Sequence, residues 1–518
     1  MTLPHPRAHA AVHPEKPALI LADTGESISY GELVERADRA AQLFARLGLV
    51  EGDTLALLLE NHIRYPELIW AAKNSGITYV CIASQSSVDD AAYIVDNCDA
   101  KLLIASAHLV GIARALTQRF GDRLQVLALD GIDAPPFWSH EELLKHESAV
   151  ALKGRRRGPS MLYSSGTTGR PKGVRAVTPD DPPEVPPRRH GLLVQQYRFD
   201  ADTVLINPGP MYHAGPGRFM VCVLRCGGTV VSFRKFDAAA VLRAIETFRA
   251  THGLFVPTMF IRMLKLDDAE RARHDLSSLR CAVHLGAPCP IPVKEQMIEW
   301  LGPVIEELYA GTESVGHTFI GSHDWLAHKG SVGKPAPGCR IRILDAQGDE
   351  QPPGTPGLIH MHNGNRFEYH KDASKTRDAI DAQGWGTLGD IGYLDDDGYL
   401  YLTDRQSHMI ISGGVNIYPQ EAENLLATHP GVADAAVIGV PHPEFGEEVK
   451  AVIQPKVYPV PHPEIFAAEL IAYCRWRLSA LKCPRTVDFV ETLPRSESGK
   501  LLKRLVKAPY WAGRDSVI

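Results

Sequence analysis

A large multi-subdomain α/β lobe followed by a small α+β domain is the architecture this sequence predicts, on three observations. At 518 residues the chain is too long for one hydrophobic core and should divide into at least two domains, one of them large. From residue 28 to about residue 150, and again over residues 203–283, helical patterns alternate with short apolar runs, as in a sheet covered by helices. After Pro352-Pro353-Gly354 the texture changes to short strands separated by Gly and Asp turns.

Along the chain, residues 1–17 are rich in Pro and His and lack the continuous apolar run of a signal peptide. They read as a mobile terminus in which His5, His9 and His13 are ordinary residues rather than metal ligands. Residues 30–47 carry helical periodicity, and residues 54–59, 78–82 and 101–104 are apolar enough for buried strands. Met161-Leu162-Tyr163 reads as the end of another strand. Residues 178–190 hold Pro179, Pro182, Pro183, Pro186 and Pro187 among charged side chains, which excludes helix and central strand and leaves an extended surface connector. Strands resume at residues 203–206, 228–232, 253–256 and 280–283. Further on, Asp395-Asp396-Asp397-Gly398 turns the chain into an apolar run at 399–402. A helix opens at Pro419 with Glu421 in its first turn and stops at His429-Pro430-Gly431, and a strand follows at 435–440. The boundary falls near residues 404–407, giving domains of 1–404 and 405–518; the second is of a size that folds on its own.

A net charge of −6 argues against a nucleic-acid partner, which calls for a basic excess. The only prominent basic run, Arg155-Arg156-Arg157, reads as a solvated linker. Nine cysteines without C-x-x-C pairs fit reduced thiols and a cytoplasmic setting, and no stretch is long and apolar enough for a membrane span.

The most informative segment is Tyr163-Ser164-Ser165-Gly166-Thr167-Thr168-Gly169-Arg170-Pro171-Lys172-Gly173. Its glycines let backbone N–H groups turn inward on an anion, its hydroxyls add donors, and Lys172 adds a point charge suited to polyphosphate. It is not the usual P-loop: Gly173 stands where Ser or Thr would follow the lysine, and the spacing of the glycines differs. Taken alone, the loop could equally be a Ser/Gly-rich surface turn. What decides is the company it keeps: Tyr309-Ala310-Gly311-Thr312-Glu313, the stretch around Asp390, Asp404-Arg405 through Gly413-Gly414 to Pro419, and Pro494-Arg495-Ser496-Glu497-Ser498-Gly499-Lys500.

With these motifs in this order, the chain resembles the adenylate-forming superfamily of acyl-CoA synthetases, peptide-synthetase adenylation domains and firefly luciferase, nearly end to end. The resemblance implies an ATP-dependent, AMP-forming carboxylic acid–CoA ligase with a mobile C-terminal domain, using ATP, Mg²⁺ and coenzyme A. Ser164, Ser165, Gly166, Thr167, Thr168, Gly169 and Lys172 would hold the outer phosphates. Thr312 would donate to the α-phosphate, and Glu313 would bind Mg²⁺. Adenine would lie between Tyr309, with Ala310 and Gly311, and Gly286-Ala287-Pro288. Asp390 and Arg405 would grip ribose.

Lys500 would stabilise charge as the substrate carboxylate attacks the α-phosphate. The lid would then rotate about residues 405–407, with Gly413 and Gly414 lining the thiol path. His213 would face the substrate carboxylate or act as a structural histidine, while Val256, Met259 and Gly316 would wall a pocket for a hydrophobic acid, be it fatty, aromatic or cyclic. Two positions depart from the pattern: Leu388 replaces a threonine before Gly389-Asp390, and Ser407 replaces a charged hinge residue. Rival readings are a free-standing adenylation enzyme that loads a carrier-protein phosphopantetheine, a regulatory nucleotide binder that has lost catalysis, and an oxygenase of the luciferase type. The implied partners are small molecules, and a homodimer is compatible with the sequence.

Overall fold

The computed structural model describes residues 4–164, 171–177, 180–405, 408–412, 415–496 and 500–512. Its centre is a sheet whose parallel half runs Pro17–Leu21, Thr229–Ser232, Val204–Asn207, His252–Phe255, Cys281–Leu285 and Ile305–Ala310. These strands lie under helices on a core that includes Ile206, Val231, Phe255 and Ala282, so their near-continuous apolar runs follow from burial on both faces. The sheet then turns antiparallel through His317–Gly321, Ser331–Pro335, Leu400–Arg405, Gly386–Leu394, Gly357–His362 and Arg340–Leu344.

A second, parallel sheet is ordered Thr78–Ile82, Thr54–Leu58, Ala100–Ala105, Gln125–Ala128 and Trp138–Ser139. The helix Tyr30–Arg46 packs beside it. Its start is set by an N-cap: the Ser29 hydroxyl accepts the Glu32 N–H at 3.2 Å. A third sheet, Arg366–Tyr369, Lys172–Val177 and Met161–Ser164, carries the predicted phosphate loop between its last two strands. The C-terminal sheet joins Val415–Ile417, Ile410–Ser412, Gly446–Pro455, Val432–His442 and Thr486–Phe489. The chain is thus a mixed α/β protein with a large N-terminal and a small C-terminal domain, as the sequence predicts.

Three expectations are corrected. The N-terminal segment is pinned rather than mobile. A short helix, Pro6–Ala10, follows His5, whose Nε2 lies 3.1 Å from Asn74 Oδ1 and whose ring stands edge-on to Trp70. Arg7 clamps Asp38 through two 2.7 Å bonds, and His9 pairs with the Arg225 carbonyl at 2.9 Å. The histidines are held separately, and no group of three His, Cys, Asp or Glu among the described residues could hold a metal ion.

Arg157, expected in solvent, is 8% exposed. Its backbone N–H donates to the Asp181 carbonyl at 2.8 Å and its side chain to the Val185 carbonyl. The Pro-rich excursion is accordingly tied down, and its last residues enter the helix Arg188–Tyr197, because the final proline, Pro187, stands just ahead of the first helical turn. All nine cysteines are free, and no helix among the described residues is long and apolar enough to cross a membrane.

Candidate active site

Parallel strands gather the segments beyond their C-terminal ends along one edge of a sheet, where α/β proteins place their ligands. Here those segments contain Met211 to His213, Val256, Gly286-Ala287-Pro288 and Gly311 to Gly316. Leu285 is the register partner of Leu308, which sets Gly286 beside Tyr309 at the ends of neighbouring strands. Gly286 has φ +87°, a conformation that suits glycine at this turn.

Four distant segments meet above this edge. The Tyr309 hydroxyl donates to Asp390 Oδ2 at 2.7 Å, and Arg405 Nε lies 3.1 Å from Asp390 Oδ1. Asp390 and Arg405 are cross-strand partners in the antiparallel half of the sheet, so their pairing is built into the register. Burial, with Asp390 next, pushes the Tyr309 phenol well above its ordinary value and keeps it a donor. The Tyr369 hydroxyl donates to Glu313 Oε1 at 2.9 Å, and Lys172 Nζ stands 5.1 Å from the centroid of the Tyr369 ring. Lys172 opens the strand opposite Ser164, so the loop predicted to hold phosphate leaves and re-enters the sheet beside Glu313. Ser165, Gly166, Thr167, Thr168, Gly169, Gly413 and Gly414 lie outside the described residues.

Lys500 reaches this cluster from the C-terminal domain. It sits on a turn closed by the Arg495–Leu501 bridge, and its N–H donates to Ser496 Oγ at 3.2 Å. Burial pulls its pKa down to about 8; Arg405 pushes the same way, against Asp390 and Glu313.

Between Ala310 and Gly316 the chain makes a braced turn. Ser314 has φ +58°, which is strained for a side-chain-bearing residue, and its carbonyl accepts from Asn363 Nδ2 at 3.0 Å and Asn365 Nδ2 at 3.2 Å. Thr312 is half-buried at the middle of this turn. A Cβ on Gly311 would come within 2.3 Å of Leu388 Cδ2, so the leucine that departs from the family pattern packs directly on that glycine. A Cβ on Gly316 would meet Met361 Cβ at 2.6 Å and Cys339 Sγ at 2.7 Å.

One hollow opens from the turn, and a second adjoins it across Arg189 and Arg218. Ala310, Gly311, Ser314 and Gly316 line the first, and Tyr212 and His213 line the second. His213 Nε2 is buried with no hydrogen-bond partner, and burial, with Lys500 next, pulls the imidazole down to about 4, so it is neutral at pH 7. Met259 is packed in the core with Phe255, Phe260 and Met263, and Val256 is half-buried beside Gly286; neither lines these hollows.

Sequence reading missed Tyr369, Arg189 and Arg218. Tyr369 pairs with Val174 in the strand just after the phosphate loop, a register no local motif announces. Arg189 and Arg218 line both hollows from two helices, Arg188–Tyr197 and Ala214–Cys226, and no spacing rule links them.

The AMP-binding enzyme family matches residues 6–368, and the AMP-binding enzyme C-terminal domain matches residues 421–500. The chain is 32% identical over 496 residues to a feruloyl-CoA synthase from Amycolatopsis sp, covering 94% of each chain. It superposes on ATP-bound MatB from Rhodopseudomonas palustris with a TM-score of 0.83 at 27% identity, covering 98% of this chain and 99% of that one. On the o-succinylbenzoate CoA synthetase from Bacillus subtilis, solved with its acyl-adenylate intermediate, the TM-score is 0.82 at 26% identity over 99% of both.

Proposed function

The chain belongs to the AMP-binding enzyme family, and from that membership we infer that it is an ATP-dependent, AMP-forming acid–CoA ligase acting on a carboxylic acid with an apolar body. The observation that carries this reading is the convergence of Lys500, Arg405, Asp390 and Glu313 from separate segments of the sequence. Each group suits one part of the chemistry. Asp390, fixed by Tyr309 and Arg405, offers carboxylate oxygen to the ribose hydroxyls. Tyr309 and Gly286-Ala287-Pro288 form the walls for adenine. Lys172, with the loop ahead of it, serves the outer phosphates.

Glu313 supplies the hard oxygen that Mg²⁺ prefers, and one of its oxygens is already oriented by Tyr369. Bound there, the ion would neutralise phosphate charge.

In the first half-reaction a substrate carboxylate oxygen bonds to the α-phosphorus, the bond to the bridging oxygen breaks, and pyrophosphate departs. Lys500 and Thr312 stabilise charge that grows only in that transition state. His213, neutral and with a free ring nitrogen, orients the carboxylate without competing for its charge. In the second, a thiol attacks the acyl carbonyl and AMP leaves. We place the hinge for the intervening rotation at residues 405–407, between the last strand of the large sheet, Leu400–Arg405, and the first of the small one, Ile410–Ser412. Relatives named for coenzyme A favour that thiol over a carrier protein.

ATP–pyrophosphate exchange over aliphatic, aromatic and polycyclic acids tests the reading. Acid-dependent return of label from pyrophosphate to ATP is expected, and its absence with every acid would refute the assignment.

A further inference from the structure

Under the proposed adenine walls lies a buried charge pair that the proposed chemistry does not use. Lys294 Nζ donates to Glu307 Oε2 at 2.6 Å, and Lys294 is fully buried. The ammonium also stands 4.8 Å from the centroid of the buried Trp325 ring. His284, likewise fully buried, is the register partner of Glu307, and its Nε2 lies 3.5 Å from the same carboxylate oxygen. Neither ring nitrogen of His284 has a hydrogen-bond partner among the described residues. Burial, with Lys294 adding to it, holds the imidazole well below its ordinary value and neutral.

Such a cluster is a poor way to stabilise a fold. An ammonium and a carboxylate must both leave water to form it, and apolar side chains of similar volume often stabilise such a site as well or better. Unpartnered imidazole nitrogens add to the cost. What the charged pair supplies, and apolar packing does not, is one fixed distance between the elements that carry it.

Those elements carry the two sides of the proposed adenine slot. Glu307 stands two residues before Tyr309 on the strand Ile305–Ala310, so the two side chains share a face of the sheet. His284 stands two before Gly286, near the end of the strand Cys281–Leu285. From Leu285 the chain forms the Gly286-Ala287-Pro288 segment and lands on the helix Ile291–Leu301, whose first turn closes where the Lys294 N–H meets the Pro290 carbonyl at 3.1 Å. One ion pair therefore fastens the landing point of one wall to the strand that bears the other. We propose that Lys294 and Glu307 are positioning residues that set the width of the slot between Gly286-Ala287-Pro288 and Tyr309. The proposal rests on the nucleotide reading of this site and adds to it a pair that acts only through the walls.

Calorimetric binding to the full chain tests this, with AMP as the probe of the adenine slot and inorganic pyrophosphate as the probe of the phosphate loop. In the double variant Lys294→Met with Glu307→Leu, the Kd for AMP should rise by about tenfold, the worth of one well-placed contact, while the Kd for pyrophosphate stays within about twofold. Its melting temperature should be no lower than that of wild type, because apolar side chains then fill the space. Glu307→Gln keeps the volume and an acceptor for the ammonium, and should weaken AMP by about threefold with pyrophosphate unmoved. If the double variant does not fold, that single contrast decides. AMP bound as tightly as by wild type, or AMP and pyrophosphate weakened in parallel with a lower melting temperature, would overturn the proposal. A wild-type protein that binds neither AMP nor ATP would defeat instead the nucleotide reading beneath it.

Discussion

The ammonium of Lys500 is surrounded by Arg405, Asp390 and Glu313, and burial outweighs the attraction of the two carboxylates. His213 also faces it but is neutral at pH 7 and adds no charge. A lysine lowered to about 8 carries its proton below that pH and loses it as pH rises through it, so the charge proposed to promote adenylation disappears on the alkaline side. We predict that kcat/KM for pyrophosphate exchange, which reports free-enzyme ionisations, falls above about pH 8. Removing the nearest repelling cation, with Arg405→Met, should move that fall to higher pH whatever it does to the absolute rate. A flat profile to pH 10, or a shift in the opposite direction, would show that Lys500 is not the titrating group.

The strand Ser331–Pro335 joins His317–Gly321 to Leu400–Arg405 within the antiparallel half of the central sheet, and Gly333 makes the join possible. Its φ is +97°, and a Cβ there would lie 2.0 Å from the Phe319 carbonyl oxygen. Gly333→Ala therefore meets both backbone strain and a clash with main chain that cannot rotate away, and should cost about 3 kcal/mol, read as a lower urea midpoint. Strands of this sheet were legible in the sequence because burial on both faces demands unbroken apolar runs: Val204–Asn207, Thr229–Ser232 and Cys281–Leu285 fall within two residues of their predicted places. The nucleotide-facing residues were legible because each lies in a short local motif. Arg189 and Arg218 were not, since they converge only through the packing of two helices separated by a strand. Arg157 and His5 were misjudged for a related reason: polar residues signal solvent in a sequence, whereas here backbone carbonyls and Asn74 accept them inside.

Across the whole molecule, the lysine proposed to promote adenylation sits on the small domain, whereas Tyr309, Glu313 and Asp390, proposed to hold the nucleotide, sit on the large one. Lys500→Ala should therefore abolish pyrophosphate exchange while leaving thioester formation from supplied acyl-adenylate within about tenfold of wild type. Equal loss of both half-reactions would refute a lid that serves only the first. The arginine-lined wall is carried differently. The helix Arg188–Tyr197 arrives from the Pro-rich excursion, whose course is held where Arg225 grips the carbonyls of Pro183 and Glu184 at 2.6 and 3.0 Å. Because main-chain oxygens take those bonds, the excursion can drift in composition without losing its route. The residues proposed to bind the nucleotide and the helices that wall the adjoining hollows are thus separable inheritances, and a lineage, or an engineer, could recast one while leaving the other untouched.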